Sequence, residues 1–112
     1  MSLLAEEDYL GCNKDDTPLS TEECNAYLQR IDGWEIVTID KIPRLSKTFT
    51  FKNFTDALDF TNTIGDIAET ANHHPAILTE WGRVQVSWWT HSIGGLHHND
   101  FVLAARTDVL YG

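Results

Sequence analysis

Two hydrophobic periods alternate along this chain, and their order limits the folds open to it. Helical spacing comes first: Cys24, Tyr27, Leu28 and Ile31 recur three or four apart. Ser20-Thr-Glu-Glu23 has capping-box spacing, Leu19 and Cys24 are placed as a hydrophobic staple, and Gly33 is expected to close this helix. Strand spacing follows. Trp34–Ile39 reads as one strand, Asp40–Pro43 as a turn, and Leu45, Lys47, Phe49 and Phe51 alternate with Arg44, Ser46, Thr48 and Thr50 as a second strand. The same succession then recurs without a repeat in the residues themselves. Residues 53–72 are helical, with one stripe of Phe54, Ala57, Leu58, Thr61 and Ala68 and another of Phe60, Ile64, Ile67 and Ala71. Two stripes imply cover on more than one side, by the sheet and by a helix or another subunit. Pro75 disfavours helical geometry at His74, which sets the end near Asn72 or His73.

Ile77–Glu80 and Arg83–His91 make a second hairpin about Trp81-Gly82. Val84, Val86 and Trp88 share one face of it; Gln85, Ser87, Trp89 and His91 share the other. After Gly94-Gly95, Asn99 or Asp100 can cap a last helix carrying Phe101, Val102, Ala105 and Val109. The order α-β-β-α-β-β-α predicts an α+β fold, a four-stranded antiparallel sheet with helices packed on one face. Trp34, Trp81 and Trp88 are expected in the packing. Residues 1–18 lack periodicity and hold Gly11, Asn13, Asp15, Asp16 and Pro18, so they read as a flexible or surface-laid acidic extension; 19–112 form one domain.

Charge narrows the partners. The chain carries 17 acids against 8 Lys and Arg, and residues 1–23 concentrate it, with Glu6, Glu7, Asp8, Asp15, Asp16, Glu22 and Glu23 against Lys14. Such a surface repels nucleic-acid phosphates and favours solubility. Cys12 and Cys24 make no disulfide framework, and no run reads as a signal peptide or a membrane span, so a cytoplasmic protein is expected.

All five histidines fall between positions 73 and 98, at one helix end, one strand end and one loop, which points to a single site. Glu69 and His73 are four apart and share a helical face. A neighbouring carboxylate and a helix C-terminus both favour a protonated ring, so His73 is the candidate proton donor. His74 is expected to leave the helix and point elsewhere. His91 can converge on His73's cleft from a strand end, and two or three imidazoles around one cleft suit paired acid and base catalysis. His97 and His98 read as loop residues without a role. Asp100 reads as a helix cap that can also touch the site. Trp89, on His91's face, is either packing or a stacking surface for a ring ligand. Adjacent histidines at a chain reversal diverge, and there is no His-x-x-x-His or Cys-x-x-Cys, which argues against a catalytic metal. No motif supports a Ser or Cys nucleophile or a Gly-rich phosphate loop.

The ordered set Glu69, His73-His74-Pro75, Trp81, His91 and Asp100 resembles the pterin-4a-carbinolamine dehydratase family. Five residues separate Pro75 from Trp81, nine separate Trp81 from His91, and eight separate His91 from Asp100. Gly33-Trp34, Phe49-x-Phe51 and Gly95-Leu96 resemble flanking positions, and the likeness runs from about Ser20 to Leu110. The resemblance implies a hydro-lyase that converts 4a-hydroxytetrahydropterin to quinonoid dihydropterin, in the recycling of the tetrahydrobiopterin used by aromatic amino-acid hydroxylases. It implies a homodimer or homotetramer and no cofactor. Carried over by position, His73, His74 and His91 contact the pterin and move protons, Glu69 and Pro75 support the pair, and Asp100 braces the pocket. His73 is then the acid candidate and His91 the base candidate. Ile77 departs from an aromatic residue expected in some relatives, which would loosen a ring-stacking wall. The same fold also implies two alternatives: a protein-binding, assembly or coactivator-type partner, with the acidic extension as a docking arm, and a pterin-handling role in molybdopterin metabolism.

Overall fold

A computed structural model describes residues 3–11 and 15–112. Three helices and four strands follow the expected order: α1 Thr21–Leu28, β1 Glu35–Ile39, β2 Ile42–Thr50, α2 Phe54–Ala71, β3 Ala76–Glu80, β4 Arg83–Trp88 and α3 His98–Tyr111. Every strand pairing is antiparallel, in the order β1-β2-β4-β3. The chain thus crosses by α2 to the far edge and returns to insert β4 beside β2. Register stacks Ile36, Leu45 and Trp88 in one inner row, Lys47, Val86 and Ile77 in the next, and Phe49, Val84 and Thr79 in the third. Leu45, Val84, Val86 and Trp88 are fully buried there. Removal of their apolar area from water supplies the main drive for layering the helices on this face.

The helix starts follow local chemistry. The capping box of α1 is formed, with Ser20 Oγ accepting from Glu23 N–H and the Glu23 carboxylate accepting from Ser20 N–H. Asn53 caps α2 through Asp56 N–H at 2.7 Å. Helix α1 is shorter than its periodicity predicts. Tight turns after Leu28, with Arg30 N–H on Tyr27 O and Ile31 N–H on Leu28 O, end it, and Gly33 (φ +81°) serves the entry to β1 instead. The first hairpin turn is also tighter than expected. Asp40 and Lys41 both have positive φ, 52° and 67°, a conformation whose twist matches the flanking strands. Pro43 consequently lies within β2, opposite Thr38 and beyond the β2–β4 ladder that begins at Leu45, where a missing N–H is tolerated.

Helix α2 buries one stripe, Ala57, Phe60, Ile64 and Ala68, whereas Phe54 and Leu58 remain exposed. Trp34 and Trp88 are core residues, but Trp81 is 73% exposed because the β3–β4 turn projects it past the sheet. Val109 is likewise exposed. Helix α3 is buried on all sides from His98 to Ala105, because the N-terminal segment covers the side the sheet does not. A 3-10 turn at Leu4–Glu6 buries Leu4, and Arg106 donates to Ala5 O and Glu7 O at 3.0 and 2.8 Å. The Asn99 amide pairs with both main-chain groups of Leu10 at 2.8 Å. Cys24 is a buried free thiol, and burial pushes its proton affinity up; Cys12, its sequence counterpart, lies outside the described residues. Among the described residues no helix is long and apolar enough to cross a membrane.

Candidate active site

Two chain reversals at one end of the sheet bring the histidines together. The first ends α2. Asn72 adopts the left-handed conformation (φ 50°, ψ 45°), its N–H bonds Ala68 O and Glu69 O, and His73 N–H bonds Ala68 O at 3.0 Å. Asn tolerates this conformation better than most residues, and Pro75 prevents the helix from continuing. The second reversal follows β4. Thr90 bridges to Gly95, and residues 91–93 form a 3-10 turn closed by Gly94 (φ 60°). His91 therefore opens a turn and does not extend the strand, since the chain has left its β2 partner after Trp88. Between the reversals lies a cleft of about 410 Å³ lined by Asn72, His73, His74, Trp89, Thr90, His91 and Ser92.

The carboxylate partners differ from the helical-spacing expectation. Glu69 bonds Nε2 of His74, not His73. The left-handed residue at 72 rotates His73 off the helical face of Glu69 and brings His74 back towards it. His74 thus shares the cleft with His73 and does not diverge from it. His73 instead places Nε2 at 2.6 Å from Oδ1 of Asp100, a carboxylate with no solvent exposure. Asp100 has two further donors on Oδ2: Thr90 Oγ1–H at 2.7 Å and His97 N–H at 2.9 Å. It is at once the third residue of a capping box for α3 and the anchor of a catalytic candidate. A carboxylate with three donors is strongly oriented, so it fixes the His73 ring in turn.

His91 is exposed, and its Nε2 lies 3.1 Å from the carbonyl oxygen of His74. A carbonyl only accepts, so this nitrogen carries the hydrogen. All three rings are therefore held by Nε2, and among the described residues no Nδ1 of the three has a partner. Trp89 stacks on His91, centroids 4.4 Å apart and planes 15° apart. Its other face is covered by Arg44, so neither face is open to a ring ligand. Ile77 packs against the core, not as a cleft wall. Three lining residues, Asn72, Thr90 and Ser92, carried no sequence signal of their own as site residues. For Asn72 the clue was its place just ahead of His-His-Pro. Among the described residues no group of three or more His, Cys, Asp or Glu could hold a metal ion.

His97 and His98 lie outside the cleft, at the start of α3. His97 is the N-cap, in place of the expected Asn99 or Asp100, and its Nδ1 accepts from Asn99 N–H. His98 Nε2 lies 2.9 Å from Glu7, which also binds Arg30. Burial holds His97 below its ordinary value of 6.5. The unfolded chain then takes up this proton first, so stability is lost as the pH falls below about 6.5. Hydrogen bonds from His98 and then Arg30 hold Glu7 below its ordinary 4.5, so its contribution is present above that value and lost beneath it. Between about pH 7.5 and about pH 5.5 the urea midpoint should fall further in the wild type than in His97→Asn, whose amide keeps the cap. Equal falls would exclude His97 as the source.

The sequence matches the family model described as pterin 4 alpha carbinolamine dehydratase over residues 17–110. A protein of Microcystis aeruginosa is 48% identical over 99% of this chain and 96% of its own. One of Syntrophotalea carbinolica is 55% identical over 83% of this chain and 84% of its own. Both bear the name "Putative pterin-4-alpha-carbinolamine dehydratase". Among solved structures, the transcriptional coactivator/pterin dehydratase of Brucella melitensis superposes with a TM-score of 0.77 at 30% identity, covering 86% of this chain and all of that one. A pterin dehydratase-like protein identified as a RuBisCO assembly factor in the alpha-carboxysome shares the fold, with a TM-score of 0.61 at 23% identity over 71% of this chain and 90% of its own.

Proposed function

The chain belongs to the pterin 4 alpha carbinolamine dehydratase family, and from that premise we propose that it dehydrates 4a-hydroxytetrahydropterin to quinonoid dihydropterin by histidine acid–base catalysis. One observation carries this reading: three imidazoles border one cleft, each anchored at Nε2 with Nδ1 unpartnered among the described residues. The reaction breaks the bond between carbon 4a and its hydroxyl and removes the proton on nitrogen 5. The electron pair of that N–H bond forms the new C4a=N5 double bond, and water departs. His73 is the acid, because the buried Asp100 carboxylate balances an imidazolium there. His91 is the base: its Nε2–H is engaged by a neutral carbonyl, so a neutral ring presents its lone pair at Nδ1. His74, half exposed and supported by Glu69, walls the cleft and supplies the carbonyl that orients His91.

Freshly generated 4a-hydroxytetrahydropterin, followed spectroscopically, tests this directly. The wild type should accelerate dehydration, and His73→Ala and His91→Ala should each lose about 10²-fold or more. Wild-type rates in both variants would remove the site. A second reading, a partner in protein assembly on the same fold, draws support from exposed apolar side chains on α2 (Phe54, Leu58) and on β3 and its turn (Leu78, Trp81). These also support a homodimer or homotetramer. Sedimentation together with the dehydration assay separates an active oligomer from an inactive binding protein.

A further inference from the structure

Arg44 is an unusual cation. Its Nε is buried with no hydrogen-bond partner, and among the described residues no carboxylate pairs with it. A buried donor left without a partner costs about 1–3 kcal/mol, so a strand arginine with no other constraint would reach for solvent. What it does contact is Trp89, with its guanidinium carbon 4.1 Å from the ring centroid. Register explains the meeting. The β2–β4 ladder ends at Leu45 opposite Trp88, and one step further along the same register sets Arg44 opposite Trp89 on the outer face. The opposite face of Trp89 carries the His91 ring at 4.4 Å. Two groups this close to one centroid cannot share a face, so guanidinium, indole and imidazole form a three-layer column.

The three cleft histidines are not equally held. His73 is tied to a buried carboxylate and lies against Trp88, 6.0 Å between centroids. Among the described residues the His91 ring has one hydrogen bond, to His74 O, and it stands on a 3-10 turn beyond the paired strand. Its ring stacks on Trp89, and Arg44 packs on the other face of Trp89. The geometry points to Arg44 as a positioning residue that holds the His91 imidazole in register through Trp89. As a step in catalysis this rests on the dehydratase reading above; as a statement about the ring it does not.

Two readouts keep those apart. A stacked indole shields the ring protons of His91, so their NMR signals should sit upfield in the wild type. They should move towards ordinary histidine positions in Arg44→Ala. In the dehydration assay the same variant should lose about 10-fold in kcat with KM little changed, since a misplaced proton acceptor slows the chemical step more than it weakens binding. His91 signals that stay upfield in Arg44→Ala would overturn the proposal, and so would a wild-type kcat. If the wild-type protein itself showed no dehydration, the dehydratase reading would fall, and the NMR comparison would still decide the column.

Discussion

Asp100→Asn should lower dehydration turnover by about 10²- to 10⁴-fold while leaving the chain folded. The wild-type carboxylate accepts from His73 Nε2–H, Thr90 Oγ1–H and His97 N–H. An amide of the same shape has one accepting oxygen and one donating nitrogen. If the oxygen stays with Thr90 and His97, the NH2 group faces His73, whose Nε2 must then become an acceptor. The ring proton moves to Nδ1, and Nε2, now accepting from the amide, no longer holds the second proton that makes His73 an acid. The compensating charge for an imidazolium is lost as well. The loss should appear in kcat, with circular dichroism close to wild type. Turnover within a few-fold of wild type would mean that Asp100 serves only the helix start.

Trp88→Ala should cost about 3–5 kcal/mol of folding stability, read as a lowered urea midpoint. Trp88 has no solvent exposure and pairs with Leu45 in the first inner row of the sheet. Its Nε1–H donates to Thr107 Oγ1 at 3.1 Å, a bond buried on both sides, and Thr107 in turn donates to Leu103 O. Removing the indole therefore opens a large cavity under α3 and strips Thr107 of a donor. Asp100, on the same helix, anchors His73, so activity should fall even where enough protein remains folded. A loss below about 1 kcal/mol would contradict the packing described here.

Short-range signals account for what was legible in the residues. Ser20 with Glu23 and the alternation through 83–88 each depend on neighbours within a few positions, and each occurs as expected. The site was legible as a group of residues and misread as a set of pairs. Helical spacing joins Glu69 to His73 only if the helix continues, and one left-handed residue at Asn72 reassigns the partners. Asp100 meets His73 across 27 positions, a contact that depends on the sheet placing α3 beside the end of α2. The partner of Trp89 was hidden for the same reason: Arg44 reaches it through strand register, which no local period encodes.

The insertion of β4 between β2 and β3 has a consequence for synthesis of the chain. Residues 35–50 emerge from the ribosome ahead of residues 83–88, so the edge of β2 that pairs with β4 has no partner until those have been made. Translation thus carries an unpaired, partly apolar edge through all of α2 and β3, and an unpaired edge is a template for mispairing. The strand that ends the wait carries Trp88 and leads directly into Trp89 and His91, so the histidine cleft has all its walls only after the strand that closes the sheet has been made.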